Sequence, residues 1–301
     1  MADAAPTRPS APNNGQITFG RFDPALGDSS IWAANPDGTN QRRLTTVPSF
    51  MSDWSPDGRR IAFDFVDDVG VHVATMAPDG GGVRQLTFGP AIQEIPKWSP
   101  DGQSITFDAA SVFPDDPAFA TAVWTMNADG SNPRQVTHDG FDVEPVFSPD
   151  GTQIAFGRIT GVTADNDQLE AVYVVNADGS QLRQVVAPLA GLEHPDWSPD
   201  GRWISFNIAP ETVRARDAGS ILVVHPTGKA LYVLRAATER LGFFKPVWSP
   251  DGRRVLAGCH DRRADRDRLC VMPAHGGDVA VIVDGSENVN FPAWGTLPPS
   301  R

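Results

Sequence analysis

Lysine is nearly absent from this 301-residue chain, which has three lysines beside 22 arginines. With 37 acidic residues against 25 basic ones, the formal net charge is -12 at pH 7. There is no Lys/Arg run of the kind that neutralises phosphates or follows an anionic bilayer, so nucleic acid is not an expected partner. No stretch approaches the roughly 20 consecutive apolar residues of a membrane-spanning helix, so membrane insertion is not expected. Cysteine is limited to Cys259 and Cys270, too few for a disulfide framework and without the companions of a structural zinc site. The opening MADAAPTRPSAPNNG lacks the basic start and apolar core of a secretory signal. As written the chain is expected in the cytoplasm; a periplasmic or secreted protein is the alternative if a signal has been removed.

What is plentiful is turn chemistry and aromatic bulk: 28 Gly, 27 Pro, eight Trp and sixteen Phe. That composition favours many short strands over helices. Two turn motifs alternate along the chain. WSPDG occurs at 54–58, 98–102, 197–201 and 248–252, with FSPDG at 147–151. Between these lie NPDG ending at Gly38, APDG at Gly80, NADG at Gly130 and Gly179, HPTG at Gly228 and PAHGG through Gly276. Proline or alanine leads the chain in, aspartate bonds its own backbone and glycine takes the left-handed position, the chemistry of a tight hairpin. The flanks alternate apolar and polar residues, as in RRIAFDF, QSITFDA and TQIAFGR after the first turn and VHVATM, AVWTMN and AVYVVN before the second. Each unit therefore holds four short strands, A to D, in roughly 40 to 50 residues, the mark of a β-propeller. NNGQITF near the start and FPAW at 291–294 are two halves of one cut motif. Joining them gives six four-stranded antiparallel blades, with the N-terminal strand pairing in the C-terminal blade to remove the open sheet edges. The expected organisation is a flexible tail over 1–14, one six-bladed propeller over 15–296 and a short tail over 297–301.

The combination PxWSPDGxxIAF followed by IWxMNADGxxxRQLT resembles the WD40-like (PD40) repeat of the TolB family, and the likeness runs over nearly all of residues 15–295. It implies a ring of six blades around a central channel. Periplasmic TolB carries an α/β domain ahead of its propeller, whereas here the repeats begin by residue 15, so the resemblance carries the fold and not the translocation role.

Alternating strand direction puts both glycine turns on one rim and the variable B–C and D–A loops on the other. Binding residues are commonly carried on such loops over a rigid scaffold. The D–A segments should bring Phe50 and Met51, Gln93 and Glu94, Asp142 and Glu144, Glu193 and His194, Phe244 and Lys245, and Asn288 and Asn290 to the channel mouth. These acids can serve structurally, by holding neighbouring loops through backbone N–H groups. Alternatively Glu94, Glu144 and Glu193, converging from adjacent blades, suit a divalent cation in the channel or a cationic ligand. His72, His138, His194 and His260 fall on the same side. With Glu144, the set His138, His194 and His260 would be the acid–base or metal machinery of an enzyme, although no HxH or HxxxH spacing joins them. Phe113 and Phe119 could form an apolar lip. The repeated Trp position reads as inter-blade packing, since burying a Trp removes about 150 to 250 Å² of surface.

Cys259 and Cys270 flank one B–C hairpin, so a disulfide is geometrically possible; two reduced thiols are the simpler expectation for a cytosolic protein. With no nucleophile triad or metal motif, the sequence favours a non-catalytic, monomeric propeller that holds a protein segment or peptide at the mouth. A metal-assisted hydrolase, lyase or cyclase at the same mouth is the alternative.

Overall fold

The Ser-Pro-Asp-Gly turn is closed by its own side chains. In the computed structural model of the chain, Ser55 Oγ donates to Asp57 Oδ1 (2.7 Å), and the Arg60 amide donates to Ser55 Oγ (2.9 Å). The Ser–Asp bond recurs at Ser99, Ser148, Ser198 and Ser249. In the second turn Gly80 has a φ of 89°, and an added Cβ would stand 2.6 Å from the Leu44 carbonyl oxygen of the preceding blade. Glycine is required there both for its conformation and for the close approach.

The structure describes residues 14–110, 120–138, 140–164, 167–208, 219–285 and 287–297. Phe113, Phe119 and the ends of both expected tails lie outside them. Every regular element among the described residues is a strand. The chain opens with β1 (Asn14–Asp23), β2 (Asp28–Ala34) and β3 (Arg42–Arg43). Blade 1 is β4 (Ser49–Trp54), β5 (Ile61–Val66), β6 (Val71–Met76) and β7 (Arg84–Gln85). Blade 2 is β8 (Gln93–Trp98), β9 (Ser104–Ala110), β10 (Thr121–Asn127) and β11 (Arg134–Gln135). Blade 3 is β12 (Asp142–Phe147), β13 (Gln153–Val162), β14 (Gln168–Asn176) and β15 (Arg183–Gln184), with β16 (Leu189–Ala190) added beside β14. Blade 4 is β17 (Glu193–Trp197), β18 (Ile204–Ile208), β19 (Ser220–Val224) and β20 (Tyr232–Arg235). Blade 5 is β21 (Leu241–Trp248), β22 (Arg254–Asp261), β23 (Arg266–Pro273) and β24 (Ala280–Val283). The last strand, β25 (Val289–Thr296), returns to pair antiparallel with β1, so blade 6 runs β25-β1-β2-β3. Ile17 faces Trp294 across that seam, where the two halves of the cut motif meet.

The aromatic row falls between blades. Trp54 packs against Ile31 and Ala33 of blade 6, and Trp248 against Ile221 and Val223 of blade 4. A second inter-blade tie explains part of the arginine content. Arg42, Arg84, Arg134 and Arg235 each donate to a carbonyl in the next blade's outer turn, at 2.7, 2.9, 2.6 and 2.9 Å. Arg183 does the same to the Pro226 carbonyl. A guanidinium, with several N–H groups in a fixed plane, suits that reach better than an ammonium.

Cys259 and Cys270 are joined in a disulfide, against the simpler expectation of two free thiols. In the β22–β23 register Ala257 faces Cys270 and Cys259 faces Arg268, so the cysteines are diagonal neighbours on one face, both fully buried. Closing a loop of 11 residues restrains the unfolded chain by about 2 to 3 kcal/mol. Reduction, or a Cys259→Ala/Cys270→Ala variant, should lower the unfolding free energy by about that amount, read from denaturant titrations with and without reductant. Equal midpoints in the two titrations would show that the bond adds nothing to stability.

Candidate functional site

The inner strands β4, β8, β12, β17, β21 and β25 each carry a register shift just before their closing Trp or Phe. Such bulges re-aim a side chain. Five of them share an unusual backbone: Ile95, Glu144, His194, Lys245 and Phe291 have φ of 56°, 58°, 56°, 51° and 49°, and each precedes a proline. A residue before proline is ordinarily extended, and a non-glycine residue held at positive φ costs about 1 to 3 kcal/mol. With Met51, the sixth equivalent, they form one tier of the channel. One turn of pleat below lie Asp53, Lys97, Asp196 and Val247, while the equivalent Val146 and Ala293 are buried in the inter-blade cores. A small pocket between the two levels, of about 40 Å³ and open to solvent, is lined by Ile95, Lys97, Glu144, His194, Asp196 and Lys245 among others.

Side chains from the preceding blade secure the strained amides. Asp64 on β5 accepts from Ile95 N–H at 2.8 Å and, with its other oxygen, from Met51 N–H at 3.3 Å. Asn207 on β18 accepts from Lys245 N–H at 3.0 Å. Glu144 accepts from His194 N–H, and its Oε1 lies 2.7 Å from His194 Nδ1. One of these acids, Glu144 ahead of Pro145-Val146-Phe147, thus does hold a neighbouring loop. Asp108 on β9 stands at the position equivalent to Asp64, but its Oδ1 is buried without a hydrogen-bond partner. At the next equivalent position the chain has Gly157, and Glu170 from β14 lies across it: an added Cβ would stand 1.8 Å from Glu170 Oε1. That oxygen is also buried and unpartnered.

Burial and mutual repulsion dominate the electrostatics. Burial, with Glu94 beside it, pushes the Asp64 carboxyl well above the usual range; burial with Glu94, Asp64 and Glu144 does the same to Asp108. Glu170 is pushed up to about 10 by burial and the charges of Glu144, Glu193 and Asp108. Glu94 is raised by burial and by Glu144. Burial works against the Glu144 charge too, but His194 outweighs it and holds the carboxyl below its ordinary value. Burial lowers Lys245 to about 8 although Glu144, Glu193, Asp64 and Glu94 pull the other way; its Nζ lies 3.1 Å from the Phe291 ring centroid. In the lower tier burial opposes the Lys97 charge, yet Asp53 and Asp196 raise it overall. Burial raises Asp196 to about 6, while its Oδ2 accepts from Trp248 N–H at 3.0 Å.

The candidates from the sequence separate accordingly. Met51, Glu94, Glu144, His194 and Lys245 gather at the mouth, with Glu193 exposed beside them, its Oε2 3.8 Å from His194 Nε2. Asp142 does not join them: it is fully buried and paired with Arg158, Nε to Oδ1 at 2.5 Å and Nη2 to Oδ2 at 2.8 Å. Phe244 and Asn290 turn against the wall, filling the space over Gly258 and Gly20. Gln93 is bonded to His72 Nδ1 at 3.1 Å, and the Asn288 carbonyl accepts from Phe22 N–H at 3.1 Å. His72, placed by the sequence on the loop-rich side, is buried in β6. The three histidines of the enzymatic alternative are kept apart: His138 is exposed, His194 pairs with Glu144, and His260 pairs with Asp267 at 2.8 Å. Among the described residues no three His, Cys, Asp or Glu side chains are arranged to hold one metal ion, Glu94, Glu144 and Glu193 included. Sequence reasoning missed Asp64, Asp108, Glu170 and the Asp53–Lys97–Asp196 tier. Their signal was polar residues inside otherwise apolar strands, as in IAFD and ITFD.

These blades and this channel define a six-bladed β-propeller. By fold it is TolB-like: TolB from Acinetobacter baumannii superposes with a TM-score of 0.75 at 19% identity, over 93% of this chain and 66% of that one. A structure assigned as TolB from Agrobacterium tumefaciens gives 0.65 at 19% identity, over 95% and 99%. The hydrazine synthase of Kuenenia stuttgartiensis gives 0.76 at 18% identity, over 95% of this chain and 48% of that one. The chain therefore spans about two thirds of the first of these proteins and half of the last. No family model matches the sequence, and no curated protein does.

Proposed function

We propose that the chain is a non-catalytic binding propeller that, as a monomer, holds a segment of a protein partner at the channel mouth. The observation that carries this is the composition of one rim. A pocket on the inner strands, lined by Ile95, Lys97, Glu144, His194, Asp196 and Lys245 among others, opens on the rim that carries exposed apolar side chains: Phe22 and Val162 at the ends of β1 and β13, Val69 in a B–C loop and Phe88 in a D–A loop. A concave polar centre with apolar flanks fits an extended segment that inserts one side chain and lays its neighbours on the rim. Propellers in other proteins serve many roles, so the reading rests on this rim and not on the fold. The buried Cys259–Cys270 disulfide supports an oxidising compartment over the cytosol.

Selection of peptides from a random display library on the immobilised full chain should return binders. A Glu94→Ala/Glu193→Ala variant should weaken them about tenfold or more, a loss of about 1.4 kcal/mol. Binders indifferent to both substitutions, or none at all, would sink the reading.

A further inference from the structure

We infer that the acidic arc Asp64–Glu94–Asp108–Glu144–Glu170 at the channel mouth is a receptor for an organic cation, a primary ammonium or guanidinium group. This rests on the reading of the mouth as a binding site and names the group that it anchors.

The first support is unmet hydrogen-bonding capacity. Asp108 and Glu170 are each 2% exposed, and each has a carboxyl oxygen with no hydrogen-bond partner. A buried acceptor left without a donor costs about 1 to 3 kcal/mol. The local donors are already committed: the amides of Ile95, His194 and Lys245 serve Asp64, Glu144 and Asn207. Among the described residues neither oxygen has a partner, and a guest with N–H groups would supply one.

Charge is the second support. Among the described residues, the cationic groups acting on Asp64, Glu94 and Glu144 are Lys245 and His194, with Lys97 below. Lys245 is drawn aside onto the Phe291 ring. The crowded acids push one another's ionisation upward, a cost that a positive guest relieves. Geometry then selects the kind of cation. No three of the acids converge as metal ligands, whereas acceptors spread around a cavity match a group with several N–H bonds pointing apart. Arginine presents five such donors in a plane and an ammonium three. The aromatic face of Phe291 adds a surface on which cations rest.

Isothermal titration of the full chain tests this with three probes: a capped pentapeptide with a central arginine, the same peptide with citrulline, and agmatine. The arginine peptide should bind at least tenfold more tightly than its neutral citrulline counterpart. Asp108→Asn/Glu170→Gln should remove most of that preference, and Glu94→Gln, on a more accessible side chain, should reduce it without disturbing the melting curve. Agmatine binding as well as the peptide would assign the site to free amines; a clear advantage of the peptide would assign it to a partner's side chain. Either result supports the inference. Equal binding of the arginine and citrulline peptides, or calcium binding with no response to any cationic probe, would overturn it. If the cations fail while a display library still yields rim-dependent peptides, the inference falls and the proposed function stands. If the library yields nothing while agmatine binds at the arc, the proposed function falls alone.

Discussion

Replacing Trp248 by alanine should lower the unfolding free energy by about 3 to 5 kcal/mol, the usual cost of emptying a large aromatic site in a packed interior. Trp248 is one of six equivalent aromatics, with Trp54, Trp98, Phe147, Trp197 and Trp294, all buried. It is wedged against Ile221 and Val223 of blade 4 and Val255 of its own blade, so the loss falls on an interface between sheets that no other element covers. It also differs from the other tryptophans of the row. Its Nε1 donates to Ser205 Oγ on the preceding blade at 2.9 Å, whereas Nε1 of Trp54, Trp98, Trp197 and Trp294 has no partner. Trp248→Phe should therefore cost about 1 kcal/mol more than Trp197→Phe, because only the former breaks a hydrogen bond, although the Ser205 hydroxyl keeps its own donation to the Asp196 carbonyl at 3.3 Å. Urea titrations of the three variants decide it. If the two phenylalanine variants lose equal stability, the indole–serine bond contributes nothing and the row acts through packing alone.

That row was legible in the sequence because it repeats, and repetition carries the architecture with it. The two glycine turns set strand direction, and the split halves NNGQITF and FPAW set the closure that β1 and β25 make. The site was only partly legible. The D–A segments give the residues near the mouth, read by their polar chemistry, but the register shift in every inner strand decides which side chain meets the channel. This is why Asp142 was expected at the mouth and lies in the wall, while Ile95 and Phe291 were overlooked. The second loss has another cause. Glu170 reaches the arc from a third strand only because Gly157 leaves its own place empty, a substitution of one strand's side chain for another's that no single repeat reveals. The burial of His72 was hidden for a similar reason: its B–C hairpin is short, and Gln93 and Asp67 close over it.

Glu170→Gln should stabilise the protein, and by an amount that grows with pH. The carboxyl of Glu170 ionises near 4.5 in an unfolded chain and is pushed up to about 10 in the fold. Below 4.5 both states hold the proton and the group contributes nothing to the pH dependence. Between those values the folded state keeps a proton that the unfolded state has lost. Raising the pH across this window therefore favours unfolding by about 1.4 kcal/mol per pH unit. At pH 7 the penalty reaches about 3 kcal/mol as an upper figure, and glutamine, neutral at every pH, escapes it. Denaturant titrations at pH 4, 6 and 8 should show the variant and parent nearly equal at the lowest pH and diverging upward. A variant less stable than the parent at pH 8, or a constant difference at all three, would contradict the buried acid as described. The opposite sign expected for binding gives the residue its meaning. The substitution that relieves the fold also removes an acceptor from the arc, so a gain in stability paired with a loss in cation affinity is what a site kept under electrostatic strain for its ligand must show.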